Sequence, residues 1–506
     1  MGQPAPRLDD LVAAASDVAG QVAGRAAGRP VESVDVKAVN AQANRSLYAK
    51  RQAIHPKLVH GTYRRVKWVV MLVTLAIYYV TPWIRWDRGL AGPDQAVLLD
   101  LPSRRFYFFF IEIWPQEVYY LTGLLILAAV ALFLVTALAG RVWCGYACPQ
   151  TVWTDLFILV ERLVEGDRAE RLRLAKAPWS AGKLARKVVK HAIWLLIAMA
   201  TGGAWVFYFA DAPTLARDLV AFDAPSVAYI FIAGLTFTTY WLGGHMREQV
   251  CTYMCPWPRI QGAMLDEDSL VVSYRDDRGE PRGPLKKLTP AGKPFGDCID
   301  CKQCVVACPM GIDIRDGQQL ECIGCALCID ACDDVMARIG KPKRLIGYDT
   351  MGNRERRLQG QPLKERLLRP RTLLYFAVLL VVGGIMTFAF TTRSDLELNL
   401  LRDRNPLFVT LSDGSIRNGY TLKILNKANE PRSFALAVEG LPGAVVSLGA
   451  EADPAAIVAP ADKVLALRVF IAAPAASLAG ESTDIILLLT GADGRIEQAP
   501  TVFRGP

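Results

Sequence analysis

The sequence predicts a multi-domain fold. It consists of an α-helical membrane bundle of about five spans, a small cysteine-rich domain inserted before the last span, and a C-terminal β-sandwich of immunoglobulin-like size. Three observations predict this fold class. The chain has 506 residues, 52% of them hydrophobic, and a mean hydropathy of +0.22, which is too apolar for a purely water-soluble protein. Eight of its 12 cysteines crowd between Cys298 and Cys332. Short β-rich runs fill the C-terminal end.

Five apolar stretches, each about as long as a membrane is thick, account for the helical bundle. They lie at 66–84, 118–140, 188–209, 226–245 and 372–391. Aromatic residues cluster at several of their ends, as is typical of the two faces of a membrane. The sequence therefore predicts a protein that crosses the membrane several times.

Basic residues orient this bundle. Segments 1–65 and 141–187 are rich in Lys and Arg, whereas 210–226 has only Arg217 against three aspartates. By the positive-inside rule, the N-terminus and residues 246–371 face the cytoplasm, and the C-terminal end lies outside. The net charge of +9 comes from these flanking segments, so we do not predict nucleic-acid binding.

The predicted domains follow from these boundaries. They are a cytoplasmic head over 1–65, a membrane domain over 66–255, a cytoplasmic linker and cysteine-rich domain over 256–371, a fifth membrane helix over 372–391 and a β-sandwich over 395–506. The polar head is expected to be disordered or loosely helical. The loop 85–117 contains FYFFFIEIWPQE, which is too short to span. We expect this run to lie at the membrane interface or to re-enter, with Glu112 near Arg104 or Arg105.

The cysteine-rich segment reads CIDCKQCVVACPMGIDIRDGQQLECIGCALCIDAC and contains two C-x2-C-x2-C-x3-C runs. In this pattern three thiolates surround one cubane cluster and the fourth cysteine reaches the other cluster. The spacing predicts two [4Fe–4S] clusters, one held by Cys298, Cys301, Cys304 and Cys332, the other by Cys322, Cys325, Cys328 and Cys308. Structural zinc would need one set of four ligands, and disulfides an oxidising compartment. Pro309 follows Cys308, but Asp333 follows Cys332, which predicts a different local turn.

The remaining four cysteines form two C-x3-C-P motifs. WCGYACPQ contains Cys144 and Cys148, and CTYMCPWP contains Cys251 and Cys255. Each motif follows the second helix of a helical hairpin, so a weak internal repeat brings both motifs to one membrane surface. Soft thiolates suit Cu(I), zinc or an iron–sulfur centre. A thiol–disulfide cycle and simple packing of small side chains at helix ends are the alternatives.

Other soft or borderline ligands lie close to the second motif in the sequence. They are His245, Met246 and Met254. We interpret His245, like His191, as a packing or interfacial residue at a helix end, and the two methionines as lipid or core contacts.

The C-terminal end contains the runs LFVTLS, TLKILNK, SFALAVEG, AVVSLGA, KVLALRVFIA and TDIILLLTGA. Turn signals at Asp413-Gly414 and Asp493-Gly494 separate or follow them. Short strands at this spacing are typical of an antiparallel β-sandwich. The domain contains no cysteine, and we expect it either to stabilise the protein or to dock a partner.

Three stretches carry a family resemblance: GRVWCGYACPQTVWTDLF, RIQGAMLDEDSLVVSYRDDRGEPRG and the cysteine-rich segment extended to IDACDDVMARIG. They closely resemble the CcoG (RdxA/FixG) family of cytochrome c oxidase accessory proteins from bacterial inner membranes. The resemblance runs from about residue 50 to the end, and only KPKRLIGYDT departs slightly from the family pattern. It implies a polyferredoxin-like membrane protein that reduces Cu(II) to Cu(I) for assembly of cbb3-type cytochrome c oxidase.

The resemblance also implies residue roles and partners. The eight ferredoxin-type cysteines become cluster ligands, and the catalytic, copper-binding residues become Cys144, Cys148, Cys251 and Cys255. The partners would be the oxidase or its copper-delivery factors. The electron donor is not identified, and no G-x-G-x-x-G motif follows a strand to suggest a built-in nicotinamide or flavin domain. Two alternatives are a quinol-linked electron-transfer subunit without copper chemistry and a non-enzymatic copper-binding assembly scaffold.

Overall fold

The computed structural model describes residues 31–40, 52–89, 92–284, 294–364, 366–428, 430–449, 453–478 and 480–506. The chain folds as two compact units. The first comprises residues 1–83, 97–106 and 113–384, and the second comprises 84–96, 107–112 and 385–506. Residues 1–30 and 41–51 of the predicted head lie outside the described residues.

The α-helices are, in chain order, α1 Thr62–Val80, α2 Tyr119–Ala139, α3 Val142–Tyr146, α4 Pro149–Glu165, α5 Arg168–Lys176, α6 Ala181–Val206, α7 Ala212–Ala221, α8 Ser226–Thr239, α9 Trp257–Met264, α10 Asp276–Gly279, α11 Gln303–Ala307, α12 Leu327–Arg338, α13 Met351–Leu358 and α14 Pro370–Thr391. The strands are β1 Val97–Asp100, β2 Arg105–Phe108, β3 Ile111–Ile113, β4 Val271–Tyr274, β5 Ile346–Asp349, β6 Leu396–Arg402, β7 Val409–Thr410, β8 Ile416–Asn426, β9 Arg432–Glu439, β10 Val445–Leu448, β11 Ile457–Ala459, β12 Lys463–Ala473, β13 Ser482–Gly491 and β14 Ile496–Arg504.

Among the residues that the structure describes, five helices are long and apolar enough to cross a membrane, which confirms the predicted bundle. They are Thr62–Trp83, Pro115–Ala139, Ala181–Val206, Ser226–Met246 and Pro370–Thr391. The third begins earlier than predicted because Ser180 caps it, with its hydroxyl accepting from the backbone N–H of Lys183 at 3.3 Å. The Lys183 ammonium in turn donates to the carbonyl of Ala177 at 2.6 Å. The polar first turn of α6 is therefore held by hydrogen bonds that hydropathy does not detect.

Segment 141–187, read from the sequence as a basic loop, is mostly helical. It contains α3, α4 and α5. Pro149 does not simply break the chain after the first C-x3-C-P motif, because it occupies the start of α4 with Cys148 as the N-cap residue. Proline is well tolerated there because its missing N–H has no partner in the first turn of a helix.

The fourth span changes its helical geometry before the second motif. After Thr239 it continues as a π-helix over Tyr240–Met246, and a second π-helix over Val250–Met254 follows. Two glycines make close packing possible in the first of these: a Cβ on Gly244 would lie 3.0 Å from the Trp194 ring. Wide π-helical turns are rare and frequently occur at functional sites.

The cysteine-rich domain is an internal structural repeat closed by an antiparallel ribbon. In the ribbon, β4 pairs with β5, and Tyr274 lies opposite Ile346. Helices α11 and α12 begin at equivalent points of the two cysteine runs, after Lys302 and Ala326, which have φ values of 57° and 59°. The repeat in the sequence is therefore a repeat in the backbone.

The two halves differ where the sequence differs. Helix α11 ends at Ala307, before Cys308 and Pro309, whereas α12 continues through Cys332 and Asp333 to Arg338. Proline has no N–H and clashes with the preceding turn, so it cannot extend a helix. Asp333 has neither restriction.

The described parts of the predicted head pack against this domain. The backbone N–H of Val34 donates to the carbonyl of Cys301 at 3.3 Å, and that of Lys57 donates to the carbonyl of Val306 at 2.8 Å. The Asn40 side-chain amide donates to the carbonyl of Met310 at 2.7 Å. These segments are extended and held to the cysteine-rich domain, so the head is not independent of it where it is described.

The second unit contains the predicted β-sandwich. One sheet has the order β10-β12-β8-β6 with β7 paired to β8, and the other has the order β11-β9-β13-β14. Alternate residues of the long strands face a common core, which includes Tyr420, Leu422, Leu487 and Phe503. The predicted runs all contain strands, and β6, β11 and β14 are additional strands that the sequence reading missed.

The loop between the first two membrane helices is folded as three short strands. The apolar run FYFFFIEIWPQE supplies β2 and β3, with Phe109 at φ 52° between them. A positive φ at a non-glycine residue is uncommon and is typical of tight turns. The run is therefore extended.

Candidate iron–sulfur and redox site

Two cavities inside the cysteine-rich domain are lined by cysteines. The first is lined by Cys298, Cys301, Cys304 and Cys332. The second is lined by Cys308, Cys322, Cys325 and Cys328, and Cys304 also reaches its wall. Each cavity thus receives three cysteines of one run and the fourth cysteine of the other, which is the grouping that the sequence spacing predicts.

The environment of these thiols suits a metal cluster. Burial raises the pKa of Cys308 and Cys332 to about 12, and that of Cys322 to about 11. It raises the pKa of Cys304 and Cys328 well above the ordinary value. Thiolates at such sites need compensating metal charge, and soft sulfur ligands suit iron. The residues fit two [4Fe–4S] clusters, which supply one-electron transfer when bound.

A buried guanidinium lies at the first cavity. Arg315 lines this cavity, and its side chain is only 4% exposed. Arg315 pairs with Asp313 at 2.6 Å and with Asp300 at 2.5 Å. Burial alone would raise the pKa of Asp313, but hydrogen bonds and charge from Arg315 hold it below its usual range. The two carboxylates therefore fix a positive charge beside Cys304, where it opposes the rise in the thiol pKa.

The two C-x3-C-P motifs come together in the structure. Burial and the charges of neighbouring cysteines together raise the pKa of Cys144 and of Cys251 to about 12; for Cys144 these neighbours include Cys148 and Cys255. The thiol of Cys144 donates to the side-chain carbonyl of Gln261 at 3.2 Å. Cys144 and Cys148 do not share one helical face, because Cys144 is in α3 and Cys148 is the N-cap residue of α4.

Along the described ranges of the chain, no group of three or more His, Cys, Asp or Glu side chains is arranged to hold a single metal ion. In the second motif, Cys251 lies in the π-helix and Cys255 follows it in an extended conformation. The C-x3-C-P cysteines are thus neighbours, with one of them engaged by Gln261.

The other ligand types near the second motif lie in different surroundings. His245 stacks on His191 with ring centroids 5.7 Å apart, and both rings also contact Trp194. The Tyr240 hydroxyl and His191 Nδ1 are 2.9 Å apart. Met254 is 56% exposed. The structure places the two histidines in an aromatic cluster that joins α6 to the π-helix.

The first C-x3-C-P motif packs directly on the loop around the second cluster cavity. Cys144 belongs to one hydrophobic core with Cys325, Ile323 and Met310, and Cys251, Cys308 and Cys322 pack against this core. A Cβ on Gly145 would lie 2.9 Å from the backbone N and Cα of Cys325. The Tyr146 hydroxyl donates to the carbonyl of Cys325 at 3.2 Å. Both cysteine sets are therefore parts of one packed core.

Polar contacts reinforce this junction. Arg141 Nη1 donates to the carbonyl of Cys322 at 3.0 Å, and Nη2 donates to the carbonyl of Pro258 at 2.9 Å. On the other side of the same loop, the Tyr348 hydroxyl donates to the carbonyl of Gly324 at 2.8 Å. The sequence reading missed Arg141, Gly145 and Tyr348. The only sign of Arg141 and Gly145 in the sequence was their position in the GRVWCGYACPQ stretch, beside the first C-x3-C-P cysteines.

A buried ion network fixes the helices that carry the first motif. Glu161 of α4 accepts hydrogen bonds from Arg171 and from Arg247, the latter at 2.5 Å. Lys190 pairs with Glu165 at 3.1 Å. Burial alone would raise the pKa of Glu161, but the charges of Arg247 and Arg171 hold it below its usual range. The network joins α4, α5 and α6 to the segment that follows the π-helix.

The apolar spans, the two cysteine-lined cavities and the adjoining cysteine motifs define a multi-pass membrane iron–sulfur protein. Comparisons with known proteins agree. A family model described as a 4Fe-4S dicluster domain matches residues 246–351, and one described as a 4Fe-4S binding domain matches 121–165. A model described as the IG-like fold at the C-terminus of FixG matches 386–506.

The chain belongs to the FixG/RdxA family. It is 56% identical over 476 residues to the nitrogen fixation protein FixG of Rhizobium meliloti, covering 88% of this chain and 91% of that protein. It is 53% identical over 467 residues to protein RdxB of Cereibacter sphaeroides, covering 91% and 98%. A crystal structure of a FixG-related protein from Vibrio parahaemolyticus matches 22% of this chain and 97% of that one, with 25% identity and a TM-score of 0.20.

Proposed function

We propose that this iron–sulfur protein reduces Cu(II) to Cu(I), with the ferredoxin domain supplying electrons and the C-x3-C-P cysteines binding the copper substrate. In this proposal one cluster is held by Cys298, Cys301, Cys304 and Cys332, and the other by Cys308, Cys322, Cys325 and Cys328. The copper-binding residues are Cys144, Cys148, Cys251 and Cys255. The grouping of the first eight around two cavities supports the cluster assignment.

The observation that carries the proposal is the shared core. Cys144 and Cys251 of the two C-x3-C-P motifs pack in the same core as Cys308, Cys322 and Cys325. No intervening domain separates the two cysteine sets within this core, so an electron at the second cavity is close to a thiolate site. Thiolates favour Cu(I) over Cu(II), which assists the transfer of one electron to bound Cu(II).

The cellular role that fits this chemistry is copper supply to a cbb3-type cytochrome c oxidase, with the oxidase or its copper-delivery factors as partners. We also propose that the ferredoxin domain faces the cytoplasm and the β-sandwich the periplasm of a bacterial inner membrane. The distribution of basic residues along the chain supports this orientation.

The test is Cu(II) reduction by anaerobically purified protein that has been reduced beforehand, read with a Cu(I)-specific chelator. The variant is Cys144→Ala/Cys148→Ala with an unchanged cluster spectrum. The matched control is Met254→Leu, which changes an exposed side chain beside the second motif. We expect Cu(I) production to collapse in the cysteine variant and to persist in the control. Equal rates in all three proteins would refute copper reduction at this site.

A second function is favoured by one specific observation. The 4Fe-4S binding model over 121–165 includes Cys144 and Cys148, so these residues, with Cys251 and Cys255, are also candidates for holding a further cluster in a pure electron-transfer subunit. Iron analysis of the anaerobic protein separates the two functions. About eight iron atoms per chain agree with copper as substrate, and about twelve with a third cluster.

A further inference from the structure

A further cavity of the first unit lies beside the second cluster cavity, and the two share Cys322 in their walls. It has a volume of about 390 Å³, and its wall includes Cys322 and Gly324 of the cysteine loop. Neither the cluster assignment nor the copper site uses this space. Its volume is within the range of small-molecule sites, which begins at about 300 Å³.

The cavity lies where two membrane helices end. Its wall includes Ala139, the last residue of α2, and Asp266. Asp266 forms an ion pair with Arg369, which immediately precedes α14, and Arg369 Nη2 also donates to the carbonyl of Ala137 at 2.8 Å. Arg369 therefore holds the C-terminal end of α2 next to the N-terminal end of α14. Both ends lie at this cavity, which places the cavity at one edge of the apolar bundle.

Exposed apolar side chains surround this edge. Leu320 and Met351 line the cavity and are 51% and 54% exposed, and Leu367 and Leu368, beside Arg369, are 59% and 83% exposed. Leu320 and Met351 share the cavity wall, and Leu367 and Leu368 adjoin the Arg369 that pairs with Asp266 of the same wall. A cluster of exposed apolar side chains is typical of contact with a membrane or another apolar partner. Because two spans end here, lipid is the partner that the position favours, and a molecule dissolved in the membrane can reach the cavity.

The lining combines apolar and polar side chains. Leu265 and Leu270 provide apolar walls, while the Gln318 amide and the Glu267 carboxylate provide a donor and an acceptor. A quinol has an apolar ring, two hydroxyl groups and no charge, and therefore matches this lining.

We propose that this cavity binds the ring of a membrane-soluble quinol, which is the electron donor of the ferredoxin domain. The proposal rests on the proposed function, since it names the donor for the same electron path. Oxidation of one quinol to quinone breaks two O–H bonds and releases two electrons and two protons. Two [4Fe–4S] clusters, held by the cysteines that line the two cluster cavities, would together take up these two electrons, one each. Exposed Glu267 accepts one proton and passes it to water, and the other leaves directly to water.

The experiment measures binding rather than turnover. The full-length protein in lipid nanodiscs is irradiated with an azido-substituted benzoquinone, and the labelled peptides are identified by mass spectrometry. We expect labelling within 262–272 and 318–322, with competition by an unlabelled decyl-benzoquinone. Glu267→Gln exchanges a charged carboxylate acceptor for a weaker, neutral amide acceptor, and we expect it to weaken binding about tenfold. Its matched control, Glu355→Gln, changes an exposed carboxylate on neighbouring α13 and should leave binding unchanged.

A second variant, Leu265→Trp, fills the cavity and should abolish labelling there. Labelling confined to the lipid-facing surfaces of the spans would overturn the proposal, as would wild-type affinity in both Glu267→Gln and Leu265→Trp. Copper reduction by chemically reduced protein does not require the cavity. A failure of that assay would therefore refute the proposed function without affecting the binding result. Likewise, a failure of quinone binding would overturn the present proposal without affecting copper reduction.

Discussion

The contact between Gly145 and the cysteine loop provides the sharpest test of the shared core. Replacing Gly145 by alanine adds a Cβ that would lie 2.9 Å from the backbone N and Cα of Cys325 and from the carbonyl oxygen of Ile323. All three neighbours are backbone atoms, so the contact cannot be relieved by rotating a side chain. Either α3 or the loop that carries Cys325 must move.

The expected cost follows from two opposing effects. Overpacking a well-packed core destabilises a protein by about 1–3 kcal/mol. Within a helix such as α3, alanine is more stable than glycine by about 0.5–1 kcal/mol, and this gain offsets part of the cost. The two ranges together give a net loss of up to about 2.5 kcal/mol, concentrated at the junction of the two cysteine sets. Because Cys325 is a proposed cluster ligand, this strain should appear as slower electron transfer to copper and weaker retention of the second cluster.

The assay compares iron content, the visible spectrum of the reduced clusters and the rate of Cu(I) formation in Gly145→Ala and wild-type protein. The matched control is Gly203→Ala within membrane helix α6, where an added Cβ meets nothing within 4 Å. Alanine there should be neutral or slightly stabilising. If Gly145→Ala behaves like Gly203→Ala in all three measurements, the two cysteine sets are not coupled through this contact.

Three further predictions concern the clusters, the ion network and the orientation. Cys298→Ser should remove only the first cluster signal and Cys322→Ser only the second, each lowering the iron content by about half; loss of both signals together in either variant would contradict the separate groupings. Glu161→Gln should destabilise the membrane domain by about 3–5 kcal/mol in a thermal unfolding assay, because it removes the buried negative charge between Arg171 and Arg247. The folded-state pKa of Glu161 is depressed, so its contribution to stability is present above its unfolded pKa of about 4.3 and is lost as pH falls through the folded pKa; wild-type stability that stays flat below pH 4 would argue against this charge balance. A reporter that is active only in the periplasm should be active after the C-terminal β-sandwich and inactive when fused within the cysteine-rich domain, and the opposite pattern would reverse the proposed orientation.

Elements with a strong local pattern could be predicted from the sequence. The five spans were found because each is a long uninterrupted apolar run, and hydropathy needs no knowledge of neighbouring elements. The β-sandwich was found because its inner strands alternate apolar and polar residues. Strand β14, Ile496–Arg504, was missed because its sequence, IEQAPTVFR, alternates poorly and contains a proline. Its pairing with β13 decides its conformation.

Helices α3, α4 and α5 could not be predicted from charge alone. A segment rich in Lys and Arg reads as a loop, but Arg171 and Lys190 are buried against Glu161 and Glu165. Glu161 and Arg171 lie ten residues apart on α4 and α5, and Glu165 and Lys190 lie on α4 and α6, so the pattern within a single helix reveals neither pair. The same reason explains why Gln261 was not recognised as the hydrogen-bond partner of Cys144.

The sequence by itself predicted which cysteines would hold the clusters and how they are grouped, because the cysteines that surround cubane clusters recur at short, characteristic intervals along the chain. Only the tertiary structure decided which other residues those cysteines contact. The packing of Gly145 on Cys325, the core shared by both cysteine sets and the cavity beside Cys322 join segments that are far apart in the chain. Contacts of this kind depend on how helices and loops pack in space, and local spacing carries no information about them.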